Sequence, residues 1–342
     1  MAPSLGVSAC SVEGEETPYL QPHEMAASVS YRFLHSFRDF HFSEEIPFPS
    51  PNGIYAETYV HGFIAALAYQ ATKRISLTLE IPFQAGSRTT YYEHDLTTLS
   101  QKHTMRASGL GDVKLVGTFW LLDPEKHREG NITLGLGVKI PTGDYNAKDF
   151  SYRDTGPVLR PVDPAIQPGD GGWGIVTEIA AFQKLYKNSY AYLQGTYLIN
   201  PRETNGTQQP TGDEPDFTLG EFGYIYNSVP DQYLGRAGLG YLIWPKMGLS
   251  LSLGARIEGV PVHDFIGGDN GWRTPGYALS IEPGISISKG RFSVSVTAPV
   301  AVMRHADQNT TDISVSKKLG TQVNGFAAFA DYLITTSVSV KF

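Results

Sequence analysis

Apolar and polar residues alternate one for one along most of this chain. Ile75, Leu77, Leu79 and Ile81 are interleaved with Arg74, Ser76, Thr78 and Glu80. Ile132, Leu134, Leu136 and Val138 are interleaved with Asn131, Thr133, Gly135, Gly137 and Lys139. Leu249, Leu251 and Leu253 alternate with Ser250, Ser252 and Gly254, and Phe292, Val294 and Val296 with Ser293, Ser295 and Thr297. A period of two belongs to the extended chain, whose successive side chains point to opposite faces. The pattern predicts strands near residues 27–37, 55–70, 73–84, 110–122, 130–141, 173–185, 189–200, 232–244, 248–259, 276–288, 291–304 and 328–342.

Strands of this kind suit a soluble sandwich, with apolar faces inside, or a membrane barrel, with apolar faces toward lipid. The joins between strands discriminate. Short ones (Ala71-Thr72, Asp123 to Glu129, Tyr186-Lys187-Asn188, Pro245-Lys246-Met247, Lys289-Gly290) alternate with long ones (38–54, 85–109, 142–172, 201–231, 260–275, 305–327). Short periplasmic turns and long extracellular loops produce that rhythm. The expected fold is all-β: a closed antiparallel transmembrane β-barrel of about twelve strands. Residues 27–342 form the barrel in this reading, and residues 1–26 a periplasmic tail. The last strand alternates and ends on Phe342, which resembles the signal by which bacterial outer-membrane proteins are recognised for assembly. Outer-membrane lipid and the barrel-assembly machinery are the partners this implies.

Composition sharpens the picture at three points. The 36 Gly, 19 Tyr and 17 Phe suit tight turns, strands and an aromatic girdle. A net charge of -7 without a basic stripe argues against nucleic acid. No apolar run approaches the roughly 20 residues of a membrane helix, which leaves a barrel untouched because only every second strand residue meets lipid. The single cysteine, Cys10, follows Val7-Ser8-Ala9 in a lipobox-like setting, but the preceding segment is short and polar, so a plain tail is expected.

Gly109-Leu110-Gly111-Asp112-Val113-Lys114-Leu115, followed by Gly135-Leu136-Gly137-Val138-Lys139-Ile140-Pro141-Thr142-Gly143-Asp144, is the most distinctive stretch. It resembles a hairpin shared by the transporter barrels named after the MetA-pathway of phenol degradation. The resemblance implies solute uptake at the outer membrane and names no solute.

The polar faces supply the candidate lumen. Basic candidates are Arg32, Arg74, Lys114, Lys139, Arg236, Arg256 and Lys341; acidic ones are Glu80, Asp112, Glu178, Glu258, Glu282 and Asp331. Nearly balanced signs suggest ion pairs that brace the wall of a narrow barrel. The long loops lean acidic through Glu44, Glu45, Asp149, Asp154, Asp163, Asp213, Glu214, Asp216, Asp264 and Asp269, a mouth that would favour cations. Gly169-Asp170-Gly171-Gly172-Trp173 and Asp269-Asn270-Gly271-Trp272 could hold calcium, but they match no EF-hand spacing and read as turns with interfacial Trp anchors. His41-Phe42-Ser43 resembles part of the His-x-Ser-Asn-Gly element of outer-membrane phospholipases, without the Asn-Gly or a third residue. The reading is a non-enzymatic barrel, with no cofactor, that passes a small solute. A closed barrel that binds partners through its loops is the alternative, and a lipid hydrolase a distant third.

Overall fold

The computed structural model describes residues 19–47, 56–90, 102–153, 156–208 and 226–342. Cys10, Asp154, Asp213, Glu214 and Asp216 lie outside the described residues. The wall is built from β1 (Met25–Ser36), β2 (Glu57–Gln70), β3 (Ile75–Thr90), β4 (His103–Leu110), β5 (Val113–Trp120), β6 (Gly130–Ile140) and β7 (Gly174–Lys184). It continues through β8 (Ser189–Ile199), β9 (Gln232–Trp244), β10 (Leu249–Val260), β11 (Gly276–Lys289), β12 (Phe292–Thr297), β13 (Val300–Ala306) and β14 (Tyr332–Lys341). β4 and β5 run in succession along β3, and β12 and β13 along β11, so fourteen strands make twelve staves. Each pairs antiparallel with its neighbours. The ring closes where β1 meets β14, from Ala26 opposite Lys341 to His35 opposite Tyr332. Met25 and Phe342 exchange backbone hydrogen bonds of 2.9 and 2.8 Å at that seam.

The barrel is inside out. Leu77, Leu134 and Leu136 are 46%, 45% and 65% exposed, whereas Ser76, Thr133 and Glu80 are 5%, 5% and 3% exposed. Water would penalise so continuous an apolar exterior, and the hydrocarbon of a bilayer does not. The described helices include none long and apolar enough to cross a membrane; strands do the crossing. The protein is a transmembrane β-barrel.

Four departures from the expected strands have physical causes. The β3–β4 hairpin continues to Thr90 and His103, into the stretch read as loop 85–109. Its outward residues there, Ala85, Ser87 and Thr89, are small or polar, so the strong alternation ends while the ladder does not. The strand expected over 110–122 breaks at Gly111-Asp112, and its inward phase flips from Met105 and Ala107 to Lys114 and Val116. The strand expected over 291–304 breaks at Ala298-Pro299, where proline has no N–H for the ladder. Loop 305–327 contains a helix, α1 (Thr310–Leu319), capped by Asn309 and Asp312 bonding each other's backbone and ended by Gly320 in the left-handed region. The last strand accordingly starts at Tyr332, while Ala327–Ala328 pairs with Asp39–His41 in a small outer sheet.

The end of the loop 142–172, from Val162 onward, folds back into the outer half of the barrel. Val162 and Ile166, both fully buried, pack with Leu34, Val60, Met105 and Leu333. Gly86 makes this possible: a Cβ there would lie 2.7 Å from the Ile166 side chain.

Candidate functional site

Side chains reach into the lumen at two levels, below an outer cavity. At the periplasmic mouth, Tyr19 reaches from the chain segment preceding β1 to the inward faces of β5, β6 and β7. Its ring stands edge-on to Trp120 and Phe182, with centroids 4.7 and 5.9 Å away. Its hydroxyl donates to the His127 carbonyl at 2.5 Å and accepts from Asn131 Nδ2 at 3.1 Å. A buried aromatic with its polar end satisfied is a firm anchor.

At mid-height five side chains form a row of alternating charge. Arg32 on β1 donates to Glu258 on β10 at 3.0 Å, although three staves separate the two strands. Arg256 donates to Glu258 at 2.7 Å and to Glu282 at 3.1 Å, and Arg236 lies 2.5 Å from Glu282. The row therefore crosses the lumen instead of merely lining it. On the opposite wall Glu80 stands across from Lys114, and Lys114 across from Lys139. Lys139 binds the Asp170 carboxylate and lies 3.9 Å from Asp112. Asp112 in turn accepts from the backbone of Gly143 and Asp170, holding the returning loop over the break in the wall. Confined like this, each charge needs its partner, because an isolated buried ion is far costlier than a pair.

Above the row lies a cavity of about 410 Å³ inside the outer mouth. Leu34 and Ser36, Thr58 and Val60, and Arg88 contribute from the inward faces of β1, β2 and β3; Trp272, Phe326 and Phe329 contribute from loops. Arg88 is 3.5 Å from Asp163 and donates to Thr58 at 3.0 Å. Asp39 also borders the cavity, in the small outer sheet beyond the membrane-spanning strands. Burial pushes its carboxyl up to about 6, against the opposing pull of the Arg88 charge.

Most of the expected lumen residues do meet here. Arg32, Glu80, Asp112, Lys114, Lys139, Arg236, Arg256, Glu258 and Glu282 belong to the two charge groups, and Glu178 packs inward over Gly135. Two expectations are corrected. Arg74 sits in the β2–β3 turn at the periplasmic rim, its carbonyl held by Trp120 N–H. Asp331 is at the outer rim, where it accepts from the backbone of Phe37 and Arg38 and from Arg38 Nε at 2.6 Å, so it staples a loop. Lys341 lies at the periplasmic end of β14. Asp170, read as a turn residue, is the main partner of Lys139; Tyr19 had no signal in the alternating pattern at all.

The loop motifs resolve in other ways. Asp170 and Asp269 are engaged by Lys139 and His263, Trp173 is exposed, and Trp272 lines the cavity instead of anchoring at the interface. No group of three or more potential metal ligands forms among the described residues. Ser43 meets His305 Nδ1 at 2.7 Å rather than His41, and His305 Nε2 lies 3.3 Å from Asp307. That row sits at the solvent-exposed rim and ties the turn after Asp39–His41 to β13, where Ala306 N–H also bonds the Phe42 carbonyl.

The fold is one that known outer-membrane barrels share. The structure matches the COG4313 outer membrane channel from Pseudomonas putida F1 over 99% of this chain and 100% of that one, with a TM-score of 0.58 and 13% identity. Weaker likenesses include a FadL homologue from Pseudomonas aeruginosa (TM-score 0.42, 8% identity, 93% and 90% of the two chains). Another is the P. putida toluene transporter TodX (TM-score 0.42, 9% identity, 94% and 90%). No protein-family model and no curated protein sequence matches the chain. The resemblance to outer-membrane transporter barrels, read above from one hairpin, thus holds at the level of fold.

Proposed function

We propose that this barrel passes a small solute across the outer membrane by a gated route through its lumen, without covalent chemistry. The observation that carries this reading is the position of the outer cavity. Leu34, in its wall, is the next inward residue on β1 after Arg32, so the cavity stands directly over the charged row. A solute that fills the cavity is thus one step from a bar made of side chains, which can swing, and not of packed backbone. The described outer-membrane channel of the same fold is in keeping with this reading. Outer-membrane lipid surrounds the wall, and the barrel-assembly machinery is the partner that the Phe342-ended strand would engage.

Tyr19, the charged row and the buried end of loop 142–172 favour a second reading, a shut barrel that works through its loops. Planar-bilayer conductance and liposome swelling separate the two. Discrete openings, and a larger conductance when Arg32 and Glu258 are both changed to Ala, support passage. A protein that neither conducts nor admits a small solute, with and without those changes, is the closed surface barrel.

A further inference from the structure

The wall of the outer cavity carries a charge imbalance that its own hydrogen bonds do not resolve. Its charged side chains are Asp39, Asp163, Asp307 and Asp312 against Arg88 and Arg273. Five of these six are engaged. Arg88 has Asp163 and Thr58, and Arg273 is held by both oxygens of Asp264, at 2.8 and 2.6 Å. Asp312 closes the cap of α1 with Asn309, and Asp307 is 3.3 Å from His305. Asp39 differs. Its backbone is held in the outer sheet, but no side chain or backbone group among the described residues donates a hydrogen bond to its carboxylate. The same cavity is lined by the rings of Trp272, Phe326 and Phe329 and the apolar side chains of Leu34 and Val60. A carboxylate that accepts no hydrogen bond and feels Arg88 only as a nearby charge, at the edge of a hollow with aromatic walls, suits an organic cation.

Resting on the transport reading, which it deepens, we infer that the cavity binds a small organic ammonium ion, an apolar or aromatic body bearing one protonated amine, with Asp39 as its counter-ion. The volume agrees. A cavity near 150 Å³ takes up benzene, so about 410 Å³ holds a one- or two-ring body with a short chain. The acidic surplus of the wall sets the sign: a carboxylate-bearing solute would meet like charge, and a neutral one would leave Asp39 without an ion-pair partner in contact.

The test is equilibrium calorimetry on the detergent-solubilised full chain, with phenethylammonium and its neutral counterpart 2-phenylethanol as probes. The wild type is expected to bind the ammonium at least tenfold more tightly, a comparison that needs no variant. Asp39→Asn, which removes the charge and keeps the shape, should erase that preference and leave the alcohol's affinity within twofold. Equal affinities in the wild type, or an undiminished preference in Asp39→Asn with native unboiled gel mobility, overturns the assignment. Flux into proteoliposomes is read separately. Binding of phenethylammonium without flux retains the site and removes the transport reading. Flux without preferential binding does the reverse.

Discussion

Leu134 and Thr133 are neighbours in the chain that live in different solvents. Leu134 faces outward and is 45% exposed; Thr133 faces the lumen and is 5% exposed. Leu134→Arg should cost about 2–4 kcal/mol at mid-membrane, and Thr133→Arg much less, measured as folded yield in lipid vesicles; equal losses would contradict the assigned faces. Asp39 gives a residue-level prediction with a definite sign. Its carboxyl is raised from an ordinary 3.8 to about 6 in the fold. Below the ordinary value both folded and unfolded chains carry the proton. As pH rises through the interval the unfolded chain releases it first, so stability falls, and the loss is complete above the folded value. Asp39→Asn should therefore melt higher than wild type well above that interval and together with it below, by thermal denaturation in detergent. At this scale the sequence was informative wherever period two held. Arg256 and Glu258 could be placed on one face from spacing alone, whereas their link to Arg32, three staves away, could not. Closure of the ring, not local pattern, brings those residues together.

The segment before β1 is an element that does not look like one. Anchored through Tyr19 against Trp120 and Phe182, it partly closes the periplasmic mouth. Tyr19→Ala should raise single-channel conductance without lowering folded yield; an unchanged conductance would make the anchor purely structural. Nothing in the tail alternates, so the pattern that marks the strands carries no sign of this contact. The same reasoning covers loop 142–172. Its inward course depends on Gly86 leaving room for Ile166 and on Asp170 meeting Lys139, contacts between stretches far apart in sequence. Helix α1 is another matter: Asn309 and Asp312 at capping spacing and Gly320 beyond were legible signals. They sit inside a long join between strands, where no period-two pattern draws attention to them. The two broken staves were half legible, since Gly111 and Pro299 both mark places where a regular ladder is hard to continue.

Taken as one object, the barrel has hydrogen-bonded neighbours on both sides of nearly every stave, so few backbone groups in the wall are left for a denaturant to exploit. Unboiled protein in dodecyl sulfate should therefore run at a different apparent mass from boiled protein; identical mobility, or a chain that is monomeric in water without detergent, would refute the membrane barrel. The short–long rhythm of the joins and the alternating faces revealed this architecture, because both follow from the bilayer and not from any particular contact. The β1–β14 seam has a consequence for the life of the chain. Ala26, paired on one side with Ala68 of β2, finds its second partner at Lys341, and Met25, paired with Tyr69, finds its second at Phe342. The first strand made must wait for the last, so a nascent or travelling chain carries two bare edges that invite pairing with any other strand. Such long-range closure is also slow. A chain without β14 could not shut, because β14 alone joins β1 to β12, so closure of the ring reports that this strand is present and paired.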